Sequence, residues 1–235
     1  MSKNKQGDGG SGPGRGARDL SVRVKTAKYR KISSTRWLQR QLNDPYVVAA
    51  KRDGYRSRAA YKIMEIDDAH QLFKPGARVV DLGATPGGWS QIAATRIGAP
   101  GAGKIVSIDI NEMEPIVGVD FIQLDFLDDD APDIIKQAIG GTVDVVLSDM
   151  AAPATGHKQT DHIKIMALCE IALELACEIL KPGGHFCAKV LQGGTERELL
   201  TKMKQRFETV KHVKPKASRS DSAETYVLAK GFRGV

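Results

Sequence analysis

Four carboxylates, each set at the end of a short apolar run, are the residues of this chain best placed to act together: Asp81, Asp109, Asp125 and Asp149. The first stands in Val79-Val80-Asp81-Leu82-Gly83-Ala84-Thr85-Pro86-Gly87-Gly88-Trp89-Ser90, where an apolar run enters a glycine-rich turn and then a helix. Glycine reaches positive φ and admits a ligand close to the backbone, and the helix that follows presents free N–H groups. The glycine order is G-x-x-x-G-G with a proline inside, not the G-x-G-x-x-G of a pyrophosphate cradle, and no Lys-Ser/Thr pair follows. Asp109 lies about 20 residues beyond the glycines, where an acidic residue accepts hydrogen bonds from ribose hydroxyls. Asp125 follows Phe121-Ile122-Gln123-Leu124, and Asp149 follows the run Val143 to Ser148. An Asp after a strand is also an ordinary helix N-cap; it is the set of four beside the turn that favours a site. In an open parallel sheet the crevice lies at the carboxyl ends of the strands, so all four should meet at one edge. An acidic rim suits a cationic ligand with a ribose and no phosphate, which describes S-adenosylmethionine. Gly83, Gly87 and Gly88 would shape its site, and Trp89 either packs in the core or walls the pocket.

Four charged residues sit among apolar neighbours, where charge is costly unless paired. They are Lys62 in Ala59-Ala60-Tyr61-Lys62-Ile63, Asp149 beside Leu147 and Met150, Lys189 in Cys187-Ala188-Lys189-Val190, and Glu224 in Ser222-Ala223-Glu224-Thr225-Tyr226. Two cations and two anions can neutralise one another as plain buried salt bridges. They can also form a reactive group, because a desolvated lysine serves as a base or as a directional hydrogen-bond partner.

The elements that must position these residues alternate between strand and helix. After the four runs above, Asp161 to Leu180 carries a helical stripe (Ile165, Leu168, Cys169, Ala172, Leu175) that stops at Lys181-Pro182-Gly183-Gly184. Phe186 to Leu191 reads as a strand, Thr195 to Phe207 as a helix, and Thr209 to Pro215 and Glu224 to Ala229 as two closing strands. The pattern predicts an α/β fold: a mostly parallel, doubly wound, seven-stranded sheet with one antiparallel edge strand and helices on both faces. The segments Ala151 to Thr160 and Ala217 to Ser222 are expected to be loops at the active-site edge, acting as lids or substrate contacts.

A chain of 235 residues with 41% hydrophobic content supports one substantial core. Residues 33–235 are assigned to a single domain and residues 1–32 to a basic arm, disordered at least through Gly16 because that stretch is rich in Gly, Ser and Lys. The first 62 residues hold 16 Lys and Arg against 4 Asp and Glu, while the whole chain is only +7, so the basic charge is local. Arg36-Trp37-Leu38-Gln39-Arg40 and Lys51-Arg52-Asp53-Gly54-Tyr55-Arg56-Ser57-Arg58 interleave arginine with aromatics. That mixture binds phosphodiesters by ion pairing and bases by stacking, which makes Arg36, Trp37, Arg56 and Arg58 candidates for RNA contact. A basic run that merely faces water is the alternative. The cysteines, Cys169, Cys177 and Cys187, lack C-x-x-C spacing and read as reduced core thiols. With no apolar run of about 20 residues and no leader-like start, the expectation is a soluble cytoplasmic protein with no membrane association.

At the level of motifs the chain resembles the FtsJ/RlmE family, bacterial 23S rRNA 2'-O-methyltransferases. The resemblance runs from about Ser33 to the end. It is carried by Ser34-Thr35-Arg36-Trp37-Leu38, Arg56-Ser57-Arg58-Ala59, Pro86-Gly87-Gly88-Trp89-Ser90-Gln91, Leu147-Ser148-Asp149-Met150-Ala151, Lys189-Val190-Leu191-Gln192-Gly193 and above all Pro115-Ile116-Val117-Gly118-Val119-Asp120-Phe121. The resemblance implies a Rossmann-like methyltransferase fold and a Lys-Asp-Lys-Glu tetrad matching Lys62, Asp149, Lys189 and Glu224. It also implies that S-adenosylmethionine is held at Gly83, Gly87, Gly88 and Trp89, at Asp109 (ribose), at Asp125 (adenine edge) and at Asp149 (methionine part). Lys189 would assist the attacking hydroxyl, with Lys62 and Glu224 orienting it. The implied substrate is a uridine in the A-loop of 23S rRNA, in the 50S subunit; a monomer is expected, and no metal, since methyl transfer requires none and the sequence offers no compact His/Cys cluster. Thr85 departs from the second alanine common in the family, and the N-terminal arm is longer than in its compact members. A tRNA or mRNA-cap ribose is the rival substrate. A non-catalytic rRNA-binding assembly factor and an NAD-dependent oxidoreductase are the rival classes, disfavoured by the intact tetrad and by the glycine spacing respectively.

Overall fold

The computed structural model describes residues 22–29, 31–153, 155–193 and 197–234, with the side chains of Ser33 and Trp37 outside the described set. The chain divides into two compact units, residues 1–44 and 45–235. In the first, a 3-10 turn (Ala27–Tyr29) precedes helix α1 (Ile32–Leu42), so the stretch assigned to the arm and the start of the predicted domain lie in one unit. The Gln39 amide donates to the Val22 carbonyl at 2.9 Å, and Asn43 Oδ1 accepts from the Val22 N–H at 2.7 Å. The stretch expected to be disordered, through Gly16, lies outside the described residues.

The second unit begins with helices α2 (Pro45–Asp53) and α3 (Ala59–His70). Next come β1 (Arg78–Leu82), α4 (Gly88–Ile97), β2 (Lys104–Asp109), β3 (Val119–Gln123), α5 (Ala131–Ile139) and β4 (Val143–Ser148). The chain closes with α6 (Lys158–Ile179), β5 (Leu180–Leu191), α7 (Arg197–Arg206), β6 (Phe207–Val213) and β7 (Glu224–Phe232). The strands form one seven-stranded sheet in the order β3-β2-β1-β4-β5-β7-β6. Strands β1 to β5 are parallel, and β7 is antiparallel to both β5 and β6. The antiparallel strand expected near the margin is therefore β7, one place in from the edge that β6 occupies.

Period-two alternation explains why both faces are covered. Val80 and Leu82, Val106 and Ile108, Phe186, Ala188 and Val190, and Val227 and Ala229 face one core, with α5, α6 and α7 packed on it. Val79, Ile105, Leu147, Cys187, Tyr226 and Leu228 face the other, under α3 and α4. Lys189 on β5 and Glu224 on β7 share the parity of Cys187 and Tyr226, which puts them on the α3 face. Helix α3 ends where Asp67 Oδ1 accepts the N–H groups of Leu72 and Phe73, both at 2.9 Å. The cysteines are free, Cys169 and Cys187 being fully buried.

Lys181-Pro182-Gly183-Gly184 stops the helix as predicted and is followed at once by strand pairing. Helix α6 ends at Ile179 and the chain goes straight into β5, pairing Leu180 with Val143 and His185 with Val145 across an irregular register. The extra residues bulge out while main-chain pairing continues on either side.

Candidate active site

The order of the sheet reverses between β1 and β4, and a ligand crevice is expected beyond the carboxyl ends of the strands at that point. A cavity of about 590 Å³ lies there, lined by Gly83, Asp109, Asp125 and Asp149 among others. Its volume is that of a small-molecule site. Its wall combines the three carboxylates with apolar side chains such as Ile108, Leu124 and Phe126 and one cation, Lys164. That donor set fits a ligand with hydroxyls, a flat heterocycle and positive charge, and fits a polyphosphate poorly.

Each carboxylate is partly fixed from below. Asp109 Oδ2 accepts the Thr85 N–H at 2.9 Å and its Oδ1 accepts the Asn111 N–H at 2.8 Å, tying the glycine turn to the end of β2. Asp125 Oδ1 accepts the Leu127 N–H at 3.0 Å in an Asx turn. Both residues retain lone pairs for a ligand. Asp81, expected on the same rim, is instead inside β1: it is fully buried, on the α3 face, where Ser90 Oγ donates to its Oδ2 at 2.7 Å. Burial pushes its carboxyl up to about 7. Its position one residue short of the strand end is what keeps it from the crevice.

The glycines divide in the same way. Gly83 has φ +74°, and a Cβ there would lie 2.8 Å from Met150 Cα, so β1 and the segment after β4 can meet at the cavity only through glycine. Gly87 and Gly88 do not line the cavity; a Cβ would lie 2.5 Å from Ile116 Cδ1 at Gly87 and 2.5 Å from Ser57 Oγ at Gly88. They let neighbouring loops close on the turn. Trp89 resolves to the core alternative, 2% exposed with its ring 5.4 Å from that of Tyr226. Only the backbone of Gly88 and Trp89, in the first turn of α4, is left to address a ligand.

The four charged residues do meet. Lys62 Nζ on α3 lies 2.6 Å from Glu224 Oε1 on β7, and Lys189 Nζ on β5 lies 2.9 Å from Asp149 Oδ1 just beyond β4. Lys189 also donates to the Asp149 carbonyl at 2.7 Å. The two ion pairs are joined by a residue that the sequence reading passed over: the Tyr226 hydroxyl reaches Asp149 Oδ1 at 3.2 Å and Glu224 Oε1 at 3.1 Å. The signal was present, since Glu224 and Tyr226 are two apart on one strand and so share a face. Ser218 Oγ, also passed over, donates to Glu224 Oε1 at 3.1 Å. Burial pushes the Glu224 carboxyl up, but Lys62, Lys189 and the Tyr226 hydroxyl outweigh it and hold the group below its ordinary value. Burial, reinforced by Asp149 and Glu224, drives the Tyr226 phenol well above its ordinary value, so the hydroxyl is a donor throughout the neutral range. Asp149 belongs to both assemblies, the cavity wall and the lysine pair.

The candidate RNA contacts are distributed differently. Arg36 is exposed on α1, and Trp37 lies on α1 with its side chain outside the described residues. Arg56 and Arg58 turn toward protein. Arg56 donates to the carbonyls of Glu114, Pro115 (2.6 Å) and Pro86 (3.5 Å), bridging the glycine turn and the segment before β3. Arg58 donates to the Ala217 carbonyl and stacks over the Tyr46 ring at 5.6 Å. At these two positions guanidinium donors are used on main-chain carbonyls that loops leave unpaired.

A donor-type crevice at the switch point of a doubly wound sheet, sharing one carboxylate with a buried lysine cluster, defines a Rossmann-like group-transfer enzyme. Comparison with known proteins narrows the class. Residues 55–232 match the family described as FtsJ-like methyltransferase, and the chain belongs to that family. A protein of Parvibaculum lavamentivorans named ribosomal RNA large subunit methyltransferase E is 62% identical, over 98% of this chain and 92% of its own. The protein of the same name in Paramagnetospirillum magneticum is 61% identical, over 96% and 93%. A crystal structure of a Plasmodium falciparum protein named as a ribosomal RNA methyltransferase is similar with a TM-score of 0.69 and 31% identity, over 77% of this chain and 100% of that one.

Proposed function

We propose that this chain methylates the ribose 2'-hydroxyl of a uridine in the A-loop of 23S rRNA. In this reading S-adenosylmethionine is the donor, the 50S subunit in the cytoplasm is the substrate, and a monomer does the work in support of ribosome maturation. The observation that carries the reading is the double membership of Asp149, which places Lys189 one ion pair from the cavity wall. Ribosomal RNA as the substrate class is supported by the names of the relatives and by the basic first 62 residues. Among the described residues no helix is long and apolar enough to cross a membrane.

Asp109 would hold the ribose hydroxyls of the donor and Asp125 its adenine edge, while Gly83 keeps the wall open. Bound S-adenosylmethionine supplies an activated methyl group, whose carbon–sulfur bond breaks as a carbon–oxygen bond forms, leaving S-adenosylhomocysteine. The protein's larger contribution is to hold the hydroxyl in line at near-attack distance, about 3–3.5 Å. Lys189, fixed at both the carboxylate and the carbonyl of Asp149, directs that hydroxyl and relays its proton, giving one of its own to the Asp149 carboxylate as it takes the hydroxyl's; proton removal contributes a smaller factor of about 10²–10⁴. Lys62 and Glu224 orient the sugar from the opposite side.

The test pairs chemistry with binding. The Lys189→Ala protein is expected to bind the donor in calorimetry much as the parent does, yet to transfer tritiated methyl to undermethylated 50S subunits at least about 10²-fold more slowly. Turnover near the parent rate would remove Lys189 from the mechanism. Mass-spectrometric mapping of the product is expected to show one 2'-O-methyluridine in 23S rRNA; a methyl group on a base, or in another RNA, would overturn the substrate.

A further inference from the structure

The loop between β6 and β7 is gripped at one residue, Ala217, through the two peptide groups on either side of it. Helix α3 and the residue before it take hold of both polar atoms of the Ala217 backbone: Arg58 donates to its carbonyl, and its N–H donates to Glu65 Oε2 at 3.1 Å. These holders are themselves braced on Tyr46, whose hydroxyl donates to Glu65 Oε1 at 3.3 Å and whose ring lies under the Arg58 guanidinium. Ala217 is fully buried and Ser218, the next residue, is 6% exposed. The consequence of gripping both peptides around Ala217 is the direction of the Ser218 hydroxyl, which donates to Glu224 Oε1 at 3.1 Å. Lys62 Nζ at 2.6 Å and the Tyr226 hydroxyl at 3.1 Å reach the same oxygen.

Lys62, Ser218 and the one hydroxyl proton that Tyr226 shares with Asp149 all address Oε1, which settles a torsion that is otherwise broad and two-fold, the terminal χ3 of glutamate. With Oε1 taken by protein donors, Oε2 is the oxygen left with unused acceptor capacity toward a ligand. Helix α3 thus supplies the cation of the Lys62–Glu224 pair and, through Arg58 and Glu65, the loop that brings the third donor.

We infer that Ser218 is a positioning residue for Glu224, and that Arg58 and Glu65 act through the backbone of Ala217 to hold it there. The inference rests on the reading of Glu224 as part of the reactive group. It assigns Arg58 to the orientation of that group in place of phosphate contact.

Ser218→Ala, Arg58→Ala and the double variant, made in the full chain and each checked by thermal melting, separate the possibilities. Each single variant is expected to lower kcat about tenfold, the loss of one hydrogen bond to a charged group. Donor KM and RNA affinity should stay at parent values, and the acid limb of the kcat profile should move to higher pH because Glu224 has lost a donor. The double variant should be no slower than either single, since both remove the same contact. Ser218→Thr, which restores a hydroxyl, should recover much of the rate, and Arg58→Lys stands in if Arg58→Ala melts early. Parent-like kcat in Ser218→Ala, an unmoved pH limb, or fully additive losses would overturn the inference. So would a fall in RNA affinity in Arg58→Ala with kcat unchanged. Glu224→Ala is measured alongside: full activity there would instead refute the reading on which the inference rests.

Discussion

The two ends of the layer formed by α3, β5 and β7 carry similar residues and treat them in opposite ways. At the end holding Lys62, Lys189 and Glu224, the charged side chains are 11–19% exposed, paired with an opposite charge within 3 Å, and cross-linked by Tyr226. At the other end, on the same sheet face, His185 pairs in register with Lys230. There a pocket of about 390 Å³ collects His70, His185, Lys211, Lys230 and Glu208. Burial, with the nearby lysines, lowers the pKa of both histidines, so they are neutral near pH 7. Lys230 donates to the His70 carbonyl at 2.5 Å. One end keeps its charges and matches them; the other discards charge or spends it on main chain. Among the described residues, only the first end holds its lysines in ion pairs with carboxylates, one of which, Asp149, also lines a cavity; that is what makes it the end read as reactive.

The largest effect expected comes from breaking the matched end. Asp149→Ala removes the side-chain partner of Lys189 and one acceptor of Tyr226 together, and should lower methyl transfer about 10³-fold. Lys230→Ala at the far end should leave it within about twofold. Comparable losses from the two substitutions in a single-turnover assay would erase the contrast.

Asp81 follows neither strategy, since its Oδ1 has no hydrogen-bond partner and, among the described residues, no ion pair reaches it. Desolvation raises its carboxyl from 3.8 to about 7, opposed by Ser90 and assisted by Asp149 and Asp109. Between those two values the folded chain keeps a proton that the unfolded chain has released. Stability therefore falls as pH rises through that window, by up to about 4 kcal/mol at full ionisation. Asp81→Asn keeps an acceptor for Ser90 and cannot ionise, so its melting temperature relative to the parent should rise from pH 5 to pH 8. A difference that does not change with pH would mean that Asp81 is not held protonated.

Arg56 tests the reassignment from ligand contact to scaffold. Arg56→Ala frees the carbonyls of Pro86, Glu114 and Pro115 and loosens the glycine turn. Donor KM should rise about five- to twentyfold, with RNA affinity and its salt dependence unchanged. The opposite pattern, weaker RNA binding with a salt slope reduced by about one, would return Arg56 to the phosphate backbone.

Much of this was legible because it is local or periodic. Val143 to Ser148 reads as a strand and is one, and the four charged residues stand out because apolar neighbours on both sides make unpaired charge expensive. What was not legible is of two kinds. Asp81 and Asp109 look alike in sequence, but one residue of strand register decides which reaches the crevice. Arg58 and Ala217 are 159 residues apart, and no pattern along the chain announces that a basic, aromatic-rich segment will turn inward to serve a loop. Lys181-Pro182-Gly183-Gly184 stops α6 as its composition indicates, but nothing in it announces that strand pairing by main-chain atoms runs on both sides of it.

The smallest effect expected lies at the structural end and runs in the stabilising direction. Gln71, next to the pocket there, closes α3 with φ +53° and ψ +63°, a left-handed conformation that glycine adopts without strain. Its N–H, bonded to the Asp67 carbonyl at 2.6 Å, is kept by any residue other than proline. Gln71→Gly relieves the strain and adds backbone freedom to the unfolded chain; the first term is the larger, leaving about 0.5–1 kcal/mol of added stability. If the two ends of the layer are as separate as their chemistry suggests, denaturant unfolding should show that gain while kcat and donor KM stay at parent values. A change in rate from a substitution this far from Lys189 would mean that strain at Gln71 is felt by Lys62, nine residues earlier, and that the two ends work as one lever.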